Sequence, residues 1–76
     1  MPAIIEERDF AIYVQFSDHP PPHCHVWRGG EEIAVVSLLT LEPLFSGQKL
    51  PRYIREVMED RIDELWDAFN EHNPPR

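Results

Sequence analysis

Cysteine is almost missing from this chain: Cys24 is the single one in 76 residues. No intrachain disulfide can form, and no Cys-x-x-Cys metal knuckle exists. A lone thiol suits a reducing compartment. Positive charge is also scarce. Seven Lys and Arg face fourteen Asp and Glu, for a formal net charge of -7. Residues 1–49 hold seven acids and three bases, and so do residues 50–73, so the acidity is spread along the chain and is not a tail. A phosphate backbone meets a repulsive average field, and no Lys/Arg cluster offsets it, so nucleic acid is not an expected partner. A basic protein is compatible. Long apolar runs are absent as well. The longest apolar-rich stretch, Ile33 to Leu41, falls far short of the roughly 20 residues that cross a bilayer. Met1 to Glu7 has no basic segment leading into an apolar run, unlike a signal peptide. These absences lead to the expectation of a cytoplasmic chain with no membrane partner.

The length allows one domain, 1–76. A domain this small buries only about 60% of the surface its unfolded chain exposes. Without disulfides, its support must come from a second subunit, a metal, or a helix packed on a sheet. A homodimer is therefore expected.

What is present is organised around Asp18-His19-Pro20-Pro21-Pro22-His23-Cys24-His25-Val26. Before it, Phe10 to Phe16 reads as a strand. Phe10, Ile12, Val14 and Phe16 alternate toward the inside, and Tyr13 points the other way. Three consecutive prolines supply no ladder donors and form a stiff connector. His23 to Arg28 reads as the next strand, with His23, His25 and Trp27 on one face and Cys24, Val26 and Arg28 on the other. Gly29-Gly30 fits a two-residue hairpin turn. The return strand then pairs Arg28 with Glu31, Trp27 with Glu32, Val26 with Ile33 and His25 with Ala34. Thr40 to Gly47 predicts a bend and a short strand. Residues 50–73 predict one long amphipathic helix, with Pro51 in its first turn and Ile54, Met58, Ile62, Leu65 and Phe69 as its stripe. The fold class is α+β: a small antiparallel meander of three to four strands (10–47), packed against one long C-terminal helix. Residues 1–9 form an arm or an edge strand.

Two readings of the histidine stretch compete. In one, His23 and His25 point the same way from an extended strand and take a divalent transition metal, with His19 or Asp18 as third ligand. The same residues could serve acid–base chemistry, Asp18 orienting a histidine. That makes a histidine-centred hydrolase or nuclease, with His23, His25 and Asp18 as catalytic candidates. In the other reading the histidines are structural and bond loop carbonyls beside an apolar surface, and no cofactor is needed. Tyr13 and Trp27 are then interaction candidates. Cys24 faces away from both histidines, which disfavours a Cys–His dyad and makes it a buried small hydrophobe.

The pattern Phe10, Ile12 and Tyr13, then Asp18, His19, Pro21, Pro22, His23, His25 and Val26, then Gly47, Leu50 and Pro51, and finally Leu65 and Trp66, resembles the small bacterial family of the domain of unknown function 4160. Cys24 stands where that family usually has phenylalanine, and Gln48-Lys49 lengthens the step to Leu50. The resemblance implies no particular reaction. Its members resemble small proteins encoded beside another short protein, which implies a protein-interaction module in a two-protein, toxin–antitoxin-like pair.

Overall fold

The computed structural model describes residues 3–14 and 21–72. Four strands follow in chain order: β1 (Ile5–Glu6), β2 (Phe10–Tyr13), β3 (His23–Arg28) and β4 (Glu31–Ser37). They form one antiparallel sheet in that same order. The N-terminal segment is thus an edge strand, with Ile5 opposite Ile12 and Glu6 opposite Ala11. Period-two alternation works as the sequence implies. Phe10, Ile12 and Val14 are buried on one side, and Ala11 and Tyr13 are half-buried on the other. Phe16, expected on the inner face, lies outside the described residues.

The β3–β4 hairpin turns at Gly29 and Gly30, whose φ of 62° and 80° are both in the left-handed region that glycine enters without steric cost. Arg28 pairs with Glu31 and Trp27 with Glu32, as expected. Beyond them the expected register is wrong. A bulge between Val26 and Trp27 leaves Ile33 unpaired, so Val26 meets Ala34, His25 meets Val35, Cys24 meets Val36 and His23 meets Ser37. One extra residue moves every later β4 side chain to the opposite face. Ala34 and Val36 join Cys24 and Val26 in the core, and Val35 goes to the histidine side. The run Ile33-Ala34-Val35-Val36 has no polar residue to reveal which alternate set turns inward.

The free edge of β4 is closed by the following turn. Leu41, at φ 58°, donates its N–H to Ser37 O at 2.8 Å and reverses the chain. Ser37 N then donates to Glu42 O at 3.0 Å, and Leu44 N to Val35 O at 2.8 Å. The Gln48 side chain accepts from Val35 N at 3.0 Å. The expected short strand in Thr40 to Gly47 is a single bridge, Val36 to Pro43. Donors left open on a sheet edge invite another chain; here those of Val35 and Ser37 are used internally.

The single long helix expected over 50–73 is two helices, α1 (Arg52–Asp60) and α2 (Ile62–His72). The break is Arg61, at φ -118° and ψ 28°. It is one residue wide: Arg61 N still donates to Val57 O, and Arg61 O accepts from Glu64 N and Leu65 N. The buried helical residues are Ile54, Met58, Leu65 and Ala68. At about 100° per residue, position 61 of an unbroken helix falls within roughly 30° of the centre of that stripe. An unbroken helix would aim a guanidinium into the core, at a cost of several kcal/mol. The break instead leaves Arg61 half-exposed, with its Nε donating to Glu64 Oε2. Charge favours the same site. Asp63 and Glu64 become the first turn of a new helix, where carboxylates are stabilising.

Ile54, Met58, Leu65 and Ala68 share one core with Ile5, Phe10, Ile12, Val14, Cys24, Val26, Ala34, Val36 and Leu38. Both helices therefore lie over the same face of the sheet. Tyr53 fixes where α1 begins. Its hydroxyl donates to Asp9 Oδ2 at 2.6 Å, and its ring sits edge-on to Phe10 at 5.9 Å. Arg28 Nη1 donates to the same hydroxyl at 3.4 Å.

Candidate functional site

The opposite face of the sheet presents three rows of side chains. Cross-strand pairing sets Glu6, Ala11, Trp27 and Glu32 in the first, Tyr13, His25 and Val35 in the second, and His23 and Ser37 in the third. The N-terminal strand extends the sheet beside β2 and does not fold over this face. Trp27 is 39% exposed, although β3 is an inner strand of the sheet. Its ring and that of Tyr13 are 6.3 Å apart at 74°, an aromatic corner with two walls nearly perpendicular. The two interaction candidates read from the sequence are thus brought into contact.

His23 and His25 also meet, with ring centroids 5.3 Å apart at 72°. Each has its Nδ1 committed. His23 Nδ1–H donates to Pro21 O at 2.9 Å, and His25 Nδ1–H donates to Glu32 Oε1. Carbonyl and carboxylate oxygens can only accept, so both protons sit on Nδ1. The Glu32 pair holds the His25 ring against the sheet, and the carbonyl does the same for His23.

This geometry corrects the histidine-centred reading. Among the described residues, no three His, Cys, Asp or Glu side chains gather closely enough to hold a metal ion. A catalytic or structural zinc site needs at least three protein ligands. Asp18 and His19, the other members of the expected cluster, lie outside the described residues. Among the described residues the histidine motif is therefore a pair of anchored rings on a sheet face, and His23 and His25 form no active-site cluster there.

Cys24 lies on the other side of β3, fully buried. Burial pushes its thiol up to about 12 from an ordinary 9.0, because a thiolate there would lose its hydration. It remains a thiol at neutral pH and takes no part in this face. Glu32 is the residue that sequence reasoning missed, since Asp18 was the expected partner of a histidine. The signal was available. Placing Glu32 opposite Trp27 already puts it on the histidine face, diagonal to His25. Glu6 was missed because its strand has only two residues.

The profile of the family described as Domain of unknown function (DUF4160) matches residues 9–70. The chain belongs to this family. The match begins just before β2 and ends near the close of α2, so it contains Tyr13, His23, His25, Trp27 and Glu32 but leaves out β1. No curated protein and no solved structure matches the chain. No helix among the described residues is long and apolar enough to cross a membrane. The fold is that of a small α+β domain.

Proposed function

We propose that this domain is a protein-interaction module, one half of a two-protein pair, and that it receives its partner on the outer face of the sheet. One observation carries the reading: the Tyr13–Trp27 corner, flanked by anchored histidines, stands on the face of the sheet away from both helices, with Trp27 39% exposed. Tryptophan and tyrosine are enriched among the residues that dominate binding energy at protein interfaces. Histidines held by a carbonyl and a carboxylate keep that surface ordered before a partner arrives, which lowers the entropic cost of binding. The toxin–antitoxin-like form of the pair rests on the family resemblance alone.

Site-specific photo-crosslinking in cells tests this. Benzoylphenylalanine replaces Tyr13 in one variant and the exposed helical residue Asp67 in another. The reading expects an adduct of one discrete mass from position 13 and none from position 67. An adduct of twice 9.0 kDa identifies a second copy of the chain, and any other mass a separate partner. No adduct at position 13, or the same mixture from both positions, rejects the outer face as the docking surface.

A further inference from the structure

We infer that the outer face recognises a cationic side chain, an arginine or lysine of a basic partner segment, held in the aromatic corner between Tyr13 and Trp27. This deepens the interaction reading and rests on it.

The first row of the face runs carboxylate, methyl, indole, carboxylate: Glu6, Ala11, Trp27, Glu32. Ala11 is the small member. Its methyl leaves space between Glu6 and the indole, and an open hollow of about 340 Å³ lies there, with Ala11, Tyr13, Trp27 and Glu6 among its lining. Both rings line that hollow, and with planes 74° apart they are not stacked face to face on each other. A cation over such faces is attracted by the ring quadrupole, and perpendicular rings are the arrangement by which aromatic cages hold ammonium groups.

Charge selects the guest. None of the outward-facing paired strand positions carries Lys or Arg, while Glu6 and Glu32 both stand there. The whole chain carries -7, so the long-range field attracts the same partner. Two arginines touch the rim of the hollow, Arg8 and Arg28. Arg28 has its guanidinium engaged on the helix side, where it donates to Tyr53 Oη. Arg8, in the bend after β1, opposes a cationic guest and therefore supplies a test of opposite sign. A second copy of this chain is a poor guest, because two outer faces of like charge would meet.

The experiment uses the full chain with Trp66→Phe, so that Trp27 is the only indole. Three peptides of alternating glycine and a test residue are titrated against it, the test residue being arginine, lysine or the uncharged norleucine. The expected result is saturable quenching of Trp27 fluorescence by the arginine and lysine peptides, and little by norleucine. Ionic strength of 1 M should weaken it, since screening then acts within about 3 Å. Glu6→Gln should weaken arginine binding about twofold to threefold, and Arg8→Ala should strengthen it by a similar factor. Trp27→Ala, followed by backbone amide shifts in place of fluorescence, should weaken it about fivefold to tenfold. Glu6 and Arg8 are exposed, so their variants keep the test valid if Trp27→Ala does not fold. Norleucine binding as tight as lysine overturns the cationic guest, while an outer-face crosslink would leave the interaction reading standing. No response to any peptide at millimolar concentration overturns the pocket. Absence of the crosslink at position 13 is the separate result that rejects the face.

Discussion

Val26 and Trp27 are neighbours in β3, and their side chains leave the strand in opposite directions. Val26 meets Ile12 and Ala34 under the helices and loses all contact with solvent. Trp27 meets Ala11 and Glu32 and keeps more than a third of its surface exposed. The buried inner face is aliphatic apart from Phe10 and Cys24, and no buried polar side-chain atom among the described residues lacks a partner. The outer face holds Tyr13, Trp27, two histidines and two carboxylates, with Ala11 among them and with Val35 and Ser37 buried on β4. Fully burying an aliphatic side chain stabilises by about 1.5–3 kcal/mol, so the inner face supplies most of the folding energy. The outer aromatic residues bring large area and polar tips without that burial. On β2 and β3, burial and exposure are thereby divided between alternate residues of the same strands.

Substitutions can sharpen or break that division. The largest effect belongs to the inner face. Met58→Ala should lower unfolding free energy by about 3 kcal/mol, because it removes a fully buried side chain and leaves a cavity. Urea unfolding reads it, and a loss below about 1 kcal/mol would mean that α1 is not an essential lid.

Next is an alkaline limit set by Cys24. Its folded pKa is raised by burial, so its contribution is intact below pH 9 and declines as pH climbs from 9.0 toward about 12. In that window only the unfolded thiol ionises, and stability falls by about 1.4 kcal/mol per pH unit. The readout is the difference in slope between the wild type and Cys24→Ala. Equal slopes would show that the thiol is hydrated in the fold.

A smaller effect, with the opposite sign, is expected at the helix break. Arg61→Leu fills the apolar stripe where the guanidinium now interrupts it. It should raise stability by about 1 kcal/mol and increase helical circular dichroism as α1 and α2 join. A loss of stability would assign the break to something other than the arginine. The smallest effect is acidic. Arg61 holds the Glu64 carboxyl below its ordinary 4.5 through their hydrogen bond. Its contribution is present above that value and is lost as pH falls through the lowered pKa. Both groups are solvent-exposed, so the gap between wild type and Glu64→Gln should be slight at pH 7 and should vanish in strong acid. Melting curves across pH 2–7 measure it.

Legibility in the sequence followed the same division. Where polar and apolar residues alternate, as in Phe10 to Tyr13 or His23 to Trp27, period two assigned each side chain to its face. Where both alternate sets are apolar, as in Ile33 to Val36, the bulge was invisible, because nothing local penalises either register. The helix break escaped for a related reason. The stripe Ile54, Met58, Ile62, Leu65, Phe69 steps over Arg61, so the arginine's conflict with the core shows only once Ala68 is known to be buried. Tyr13 and Trp27 were readable as candidates because large aromatic residues stood on the face away from the core. The histidines were readable as a pair but not in their role. That role depends on Glu32, which a hairpin and a bulge bring to His25 from seven residues away.

The division of the two faces is tested most directly by urea unfolding of Val26→Ala and Trp27→Ala side by side. Val26→Ala should cost about 2–3 kcal/mol and Trp27→Ala less than about 1 kcal/mol, although the tryptophan loses far more atoms. A cost for Trp27→Ala equal to or above that for Val26→Ala would contradict the account, for the indole would then be part of the core and its exposed face would need no partner.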